Sequence, residues 1–265
     1  MAKEQRKTNR VGKLITDTEN LNSTEQPEKG KKDASRVYIN MKSQLQKEEK
    51  RKLAYYIVDK YVENFFAVSI DAGTTQQQII ERLMGKRDFV SLLTNNMTAF
   101  RENSSQRVKE SSNEFILTGG KFVALFDALH GIETQTSFNM FNPRVVIIGV
   151  SGLVAEKGFF CHGNDEVTIK KLLLNKESSR IIIPVDHSKI GRPDSYLFGE
   201  IKDFTSDDKI ERIIVACPPS EKLTELDKKL DSFEAETRKF DENIEKLKSL
   251  GVEVDIVPND LEMED

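Results

Sequence analysis

The chain has 265 residues and carries 40 Lys and Arg against 44 Asp and Glu, a formal net charge of −4. Its length suits one domain of about 200 residues with extensions, or two small domains. No run approaches the ~18 apolar residues of a membrane span, and the N-terminus lacks the apolar segment of a secretory signal. Cys161 and Cys217 have neither metal-ligand nor redox spacing, so we expect a reduced, cytoplasmic protein.

The first part of the chain differs in composition from the rest. Residues 1–47 are rich in Lys, Glu, Asn and Thr with few apolar positions, and we predict a disordered polar tail. The remaining residues, 48–260, form the predicted globular domain. Residues 1–52 hold 14 Lys and Arg against 8 Asp and Glu, so the rest of the chain is acidic. An acidic body argues against a large nucleic-acid-binding surface.

Beyond residue 47, helix and strand patterns alternate. A helix is predicted from Glu48, because Leu53, Ile57, Tyr61 and Phe65 stand four apart. The predicted strands are 66–70, 88–93, 113–118, 144–149, 179–185, 211–216 and 252–257, and further helices are predicted at 75–84, 122–137, 165–174 and 222–249. This alternation predicts an α/β fold with a mainly parallel sheet and helices on both faces.

The predicted C-terminal helix is unusually long. From Leu223 to Leu247 its apolar residues keep a strict three-four spacing, which is typical of a coiled-coil seam. A stripe packed on the body of the same chain has similar spacing. The sequence leaves both possibilities open, and the first leads us to expect a homo-oligomer.

Five predicted strands end in short polar or glycine-containing segments: SIDAGTT, LLTNN, ILTGG, IIGVSG and IIPVDHSKIGR. Parallel strands place their carboxyl ends along one edge of the sheet, where ligands of open α/β sheets bind. These segments therefore predict one small-molecule site.

The segment after Asp71 has the features of a phosphate site. Gly73 permits a tight turn, and Thr74 or Thr75 can begin the next helix, whose N–H groups favour an anion. Lys189 is a suitable counter-charge, and Asp186 can orient it. His162 is a candidate base or metal ligand, but no second histidine lies nearby in sequence. We expect no metal and no cofactor.

In order and spacing, DAGTT, TNN, LTGG, GVSG followed by GF, and DHSKIGR resemble the C-terminal sensor domain of DeoR-type transcriptional regulators. The resemblance covers residues 48–258. It implies a fold similar to ribose-5-phosphate isomerase and the CoA-transferase group, and a phosphorylated sugar or related metabolite as effector. The ligand-binding residues that it implies are Asp71, Gly73, Thr74, Thr75, Asn95, Gly119, Gly120, Gly152, Asp186, Ser188 and Lys189.

The chain departs from this family in two respects. Residues 1–47 lack the apolar positions of the winged helix-turn-helix that family members carry, so we expect no sequence-specific DNA binding by the chain itself and action through a DNA-binding partner protein or through assembly. Ser151 stands where the family usually has Asp. Two other functions stay open: a sugar-phosphate isomerase or lyase, with Asp71, Asp186, Glu166 or His162 as base, and an assembly protein with a vestigial pocket.

Overall fold

The computed structural model describes residues 34–103, 112–177, 179–205, 210–220 and 230–263. In chain order the strands are β1 (Ala67–Ile70), β2 (Ser91–Thr94), β3 (Glu114–Leu117), β4 (Lys121–Val123), β5 (Ala128–His130), β6 (Val145–Ile147), β7 (Gly152–Val154), β8 (Gly158–Cys161), β9 (Arg180–Asp186), β10 (Tyr196–Glu200), β11 (Arg212–Cys217) and β12 (Glu253–Ile256). The helices are α1 (Ala34–Gln44), α2 (Lys47–Tyr61), α3 (Thr74–Lys86), α4 (Met97–Asn103), α5 (Ile132–Met140), α6 (Asn164–Leu174) and α7 (Leu230–Ser249).

The centre of the fold is a seven-stranded sheet with the order β12-β11-β9-β6-β1-β2-β3. Every pairing in it is parallel. All seven strands predicted from the sequence are present. Two small antiparallel sheets, β10-β8-β7 and the β4-β5 hairpin, lie outside it.

Helices cover both faces of the large sheet. Ile181 and Ile183 of β9 belong to one buried cluster, which contains residues of α5, α6 and α7. Ile182, between them, belongs to a second cluster with residues of α2, α3 and α4. Because neighbouring residues of a strand point to opposite faces, this alternation divides the core into two layers. The predicted α/β class with helices on both faces is confirmed.

The helix predicted over 122–137 is wrong in its first half. Residues 121–130 form the β4-β5 hairpin, and α5 begins only at Ile132. Gly120 and Gly131 take φ values of 130° and 110°. Residues other than glycine rarely adopt this backbone region, so the two glycines separate the hairpin from its neighbours.

The structure also differs from the predicted polar tail over residues 34–44, which form α1. The helix has apolar residues to pack, because Tyr38, Ile39 and Met41 line a cavity in the body. Residues 1–33, the rest of the predicted tail, lie outside the described residues. Among the helices described, none is long and apolar enough to cross a membrane.

The C-terminal half of α7 packs on the body of the same chain. Phe240, Ile244 and Leu247 are buried in the core cluster that covers one face of the sheet. The part of the predicted helix before Leu230, residues 222–229, lies outside the described residues. From residue 240 onward the stripe is therefore a packing face, and the homo-oligomer stays a prediction.

We expect Ile244→Val to lower the free energy of unfolding by about 0.5–1.5 kcal/mol, the usual effect of removing one buried methylene. If the stripe packs within one chain, the decrease in melting temperature is the same at every protein concentration. A dimer seam would instead make the melting temperature depend on concentration, since association stabilises by mass action. Calorimetry across a hundredfold range of concentration distinguishes the two, with exposed Glu245→Gln as the control.

Candidate functional site

The carboxyl ends of several parallel strands open into a cavity of about 480 Å³. This volume lies within the range of small-molecule sites. Residues from the ends of β1, β2, β6 and β9 meet there, as the parallel topology requires. The predicted site residues that line the cavity are Asp71, Gly73, Thr74, Thr75, Asn95, Asp186, Ser188 and Lys189.

Three predicted site glycines do not line the cavity that the described residues form. The carbonyl of Gly119 accepts a hydrogen bond from Thr134 Oγ1 at 2.6 Å. A side chain at Gly120 would collide with Thr134 and the His130 backbone, and one at Gly152 would collide with the Arg192 carbonyl. Gly120 and Gly152 therefore allow close packing of neighbouring segments, which explains their presence without a ligand.

One corner of the cavity is built to receive an anion. Helix α3 begins here at Thr74, and the N–H groups of a first helical turn have no partner within the helix. Lys189 Nζ lies 3.5 Å from Thr75 Oγ1 and 3.2 Å from Asp186 Oδ2. Asp186 also accepts hydrogen bonds from the amide and hydroxyl of Ser188 at 3.1 and 2.5 Å. Asp186 therefore positions Lys189 at the start of α3.

Burial by itself would raise the pKa of Asp186, but Lys189 and Ser188 hold it below its ordinary value. The carboxylate thus stays charged beside the lysine. An ionised carboxylate and a lysine amine 3.2 Å apart form a fixed pair in which the lysine retains further donors for a ligand.

Lys50 of α2 adds a second cation to this corner. Lys50 is only 4% exposed and lines the cavity. Its amine donates to the Lys42 carbonyl at 2.6 Å. Burial and, next, the charge of Lys189 lower the pKa of Lys50 to about 8. A bound anion would offset both effects. We call Thr74, Thr75, Lys189 and Lys50 the anion corner.

Lys50 was not predicted as a site residue, because it lies in a run of charged residues that is typical of an exposed surface. A signal was nevertheless present. Lys50 precedes Leu53, Ala54 and Ile57 by three, four and seven residues, so it occupies the buried stripe of α2. A lysine in a buried stripe needs a partner within the protein or takes part in binding a ligand.

The floor of the cavity holds a buried ion pair. Lys170 Nζ lies 2.5 Å from Asp71 Oδ2 and donates to the Gly149 carbonyl at 2.8 Å. The other oxygen of Asp71 accepts from the Gly149 amide at 2.8 Å. Glu166 Oε2 lies 3.5 Å from the same amine. Lys170 therefore ties α6 to the ends of β1 and β6.

The charges of this pair depend on each other. Burial favours a neutral Lys170, but Asp71 and Glu166 outweigh it and raise the pKa of the amine above its ordinary value. Burial raises the pKa of Asp71, and Lys170 acts against that shift. Asp71 was predicted to bind the ligand, and in the structure both its oxygens already have partners within the protein. The i, i+4 spacing of Glu166 and Lys170 was the sequence signal for this cluster.

A further wall contains His162 and Asp194, whose Nδ1 and Oδ1 atoms are 3.5 Å apart. Burial would raise the pKa of Asp194, but hydrogen bonds from His162 and Ser151 hold it well below its usual range. The rings of Phe126 and Tyr38 lie 6.3 and 6.5 Å from the His162 ring. Within the described ranges, no three His, Cys, Asp or Glu residues are grouped to hold a metal ion.

Residues 45–206 match the family model of the DeoR C terminal sensor domain. The HTH-type transcriptional regulator GlpR of Haloferax volcanii is 26% identical over 156 residues, which are 59% of this chain and 58% of that protein. The HTH-type transcriptional regulator IolR of Bacillus subtilis is 22% identical over 178 residues, 67% of this chain and 66% of that protein. The chain thus spans little more than half to two thirds of the relatives it matches.

A solved structure of ribose 5-phosphate isomerase from Plasmodium falciparum is also similar, with 20% identity, a TM-score of 0.35, and coverage of 54% of this chain and 52% of that one. The family match includes every part of the cavity except α1, which precedes it. Because this match extends over more than half of the 265 residues, the chain belongs to the DeoR C terminal sensor domain family.

Proposed function

We propose that this protein is an effector sensor of DeoR type that binds a phosphorylated sugar or a related metabolite and acts in transcriptional regulation. The observation that carries the proposal is the anion corner, where the start of α3 meets Lys189 and Lys50 in one cavity. A helix N-terminus and two cations together favour a phosphate over a neutral ligand.

The rest of the cavity suits the uncharged part of such a ligand. It presents amide, hydroxyl and imidazole groups together with the Phe126 and Tyr38 rings. Polar groups placed among apolar surface fix the orientation of a small ligand. This composition also favours a working site over the vestigial pocket of an assembly protein.

A sensor fits the site better than the alternative isomerase or lyase, which needs a free base near a sugar carbon. The four candidate bases are all engaged. Asp71 pairs with Lys170, Asp186 with Lys189, and His162 with Asp194. Glu166 accepts from the Gly163 amide at 3.0 Å. A base that is already paired within the protein is less available to take a proton from a sugar carbon.

We further propose that the protein does not read DNA bases alone and acts in the cytoplasm through a DNA-binding partner or through effector-linked assembly. The relatives GlpR and IolR are named as HTH-type transcriptional regulators. The family match here begins at residue 45, and residues 53–265 hold 26 Lys and Arg against 36 Asp and Glu. A negatively charged body repels the DNA backbone.

A thermal-shift screen tests the proposed ligand class. Phosphorylated sugars are compared with their unphosphorylated forms under identical conditions. A ligand at 100 times its dissociation constant stabilises the fold by about 2.7 kcal/mol, which is readily detected. Stabilisation by phosphorylated members alone supports the proposal. If no phosphorylated compound stabilises the protein, or if both forms act equally, the ligand class is wrong.

The anion corner predicts a pH dependence of binding. In the free protein Lys50 loses its proton near pH 8, whereas an adjacent phosphate favours the charged form. Binding above pH 8 therefore takes up a proton, so affinity falls as the pH rises from 8 toward 9.5, by at most about tenfold per unit. Below pH 8 Lys50 is already charged and contributes no slope. Calorimetric titration of Lys50→Met is expected to give a flatter profile, and an unchanged slope in this variant excludes Lys50 as the source.

A further inference from the structure

Helix α1 covers part of the cavity but is only loosely held there. Tyr38, Ile39, Met41 and Lys42 of this helix line the cavity. Of the α1 residues whose burial is described, none is buried, whereas α2 has seven buried residues. A helix of 11 residues has little stability of its own in water and depends on its packing. Helix α1 is therefore an element of low local stability, the kind from which lids over binding sites are drawn.

The junction between α1 and α2 has the features of a hinge. Gln46 stands between the two helices with φ 47° and ψ 42°, in the left-handed region. Residues other than glycine rarely adopt this conformation, so a change at this one residue relaxes the backbone and redirects α1. Hinge residues commonly lie at the ends of helices and strands. Helix α1 can thus move while α2 stays in the core.

One hydrogen bond joins α1 to the anion corner. The Lys50 amine donates to the Lys42 carbonyl at 2.6 Å. This carbonyl lies in the last turn of α1, where carbonyl groups have no partner within the helix. A lysine ammonium group has three donors, so Lys50 can hold this carbonyl and an anion at the same time.

The charges around Lys50 oppose a tight seat for α1 until an anion binds. Burial lowers the pKa of Lys50, and the charges of Lys189 and Lys42 lower it further, against the opposite effect of Asp186 and Glu49. Asp186 is already paired with Lys189. Lys42 of α1 and Lys50 of α2 therefore repel each other across the junction. An anion between them would attract both, because each then faces an opposite charge.

We propose that α1 is a lid over the cavity and that an anion bound in the anion corner holds it closed. The inference rests on the proposed function and concerns the regulation of the same site. The anion attracts Lys42 and keeps Lys50 charged, and a charged donor strengthens the hydrogen bond to the Lys42 carbonyl. Because binding and closure stabilise each other, loss of α1 must weaken anion binding by the factor by which the anion favours closure.

Hydrogen exchange of the full chain, followed by mass spectrometry, measures the lid directly. Inorganic phosphate is the probe, and potassium chloride at the same ionic strength is the control. Phosphate should slow exchange in peptides from α1 by roughly 5-fold or more, the lower limit of typical coupling between two sites. Peptides that contain residues 74–77 report binding at the start of α3 independently.

A pair of variants at one position tests the reciprocal effect on affinity. Asn40 is exposed in the middle of α1 and does not line the cavity. Proline breaks a helix from within, whereas alanine preserves it. By calorimetry, Asn40→Pro should lose roughly 5-fold or more in affinity for inorganic phosphate, and the matched control Asn40→Ala should lose nothing. Both variants should melt at the same temperature, since Asn40 lies outside the core.

The outcomes separate the lid from the proposed function. If phosphate protects residues 74–77 but not α1, or if Asn40→Pro binds phosphate as tightly as Asn40→Ala, the lid is wrong and the anion corner stands. Faster exchange of α1 in phosphate would also overturn the lid, because the anion would then displace the helix. If phosphate neither binds by calorimetry nor protects either segment, the proposed function fails and the lid fails with it.

Discussion

Replacing Lys189 by alanine is expected to weaken the binding of a phosphorylated ligand roughly 10- to 150-fold. A hydrogen bond to a charged group contributes about 1.5–3 kcal/mol, and this substitution removes one from the phosphate. Lys189 is held for this contact by Asp186, at 3.2 Å, and it reaches the start of α3 at Thr75. The affinity for the unphosphorylated form of the same sugar should barely change. Calorimetric titration with both forms gives the two losses.

Two controls keep this result interpretable. Lys202→Ala removes an exposed lysine outside the cavity lining and should leave both affinities unchanged. Because Lys189→Ala also leaves Asp186 buried with Lys50 as the remaining nearby cation, the melting temperature of each variant is measured alongside. Equal losses for the phosphorylated and unphosphorylated sugar, in a variant that stays folded, would exclude Lys189 from phosphate binding.

The sheet and one side of the cavity could be predicted because both follow from short segments of the sequence. Buried parallel strands are continuous apolar runs, and the polar residue that ends each run must lie at the carboxyl edge. Asp71, Asn95 and Asp186 each follow such a run, and the structure brings them into one cavity. Their distance in sequence is irrelevant, since the parallel arrangement alone places them together.

Other features depend on tertiary contacts that a local pattern does not contain. Gly120 and Gly152 follow strands in the same way, yet they support packing against Thr134 and Arg192. The hairpin at 121–130 has apolar residues at helical spacing, but in the structure β4 pairs with β5 and Asp127 between them takes a φ of 47°. His130 lies in this misassigned segment, so its place in the cavity could not be anticipated.

Helix α1 illustrates a different limit. Its sequence is polar enough to read as part of a tail, and propensity alone does not stabilise a helix of 11 residues in water. Tyr38 lines the cavity with its ring 6.5 Å from that of His162, and this surface exists only after the body has folded. Because α1 precedes the family match, it adds a wall to the site that the family domain does not itself supply.

The buried pair of Asp71 and Lys170 should give the largest losses of stability in the described part of the chain. Removing one member of a buried ion pair typically costs about 3–5 kcal/mol, because the other charge stays buried without a partner. Lys170→Met leaves the carboxylates of Asp71 and Glu166 facing each other and takes the donor from the Gly149 carbonyl. Asp71→Asn should cost less, since Glu166 remains 3.5 Å from the Lys170 amine.

The double variant Asp71→Asn/Lys170→Met should cost less than the sum of the two single losses, by about 0.5–3 kcal/mol, because it leaves no single member of the pair unmatched. Urea unfolding of the four proteins measures this coupling. The exposed ion pair of Arg82 and Asp59, with atoms 3.0 Å apart, is the matched control, and Asp59→Asn should cost at most about 1 kcal/mol. Strictly additive losses, or single losses no larger than that of the control, would show that the pair does not hold α6 to the ends of β1 and β6. Because unfolding is measured without a ligand, the coupling energy reports the structural role of Asp71 alone.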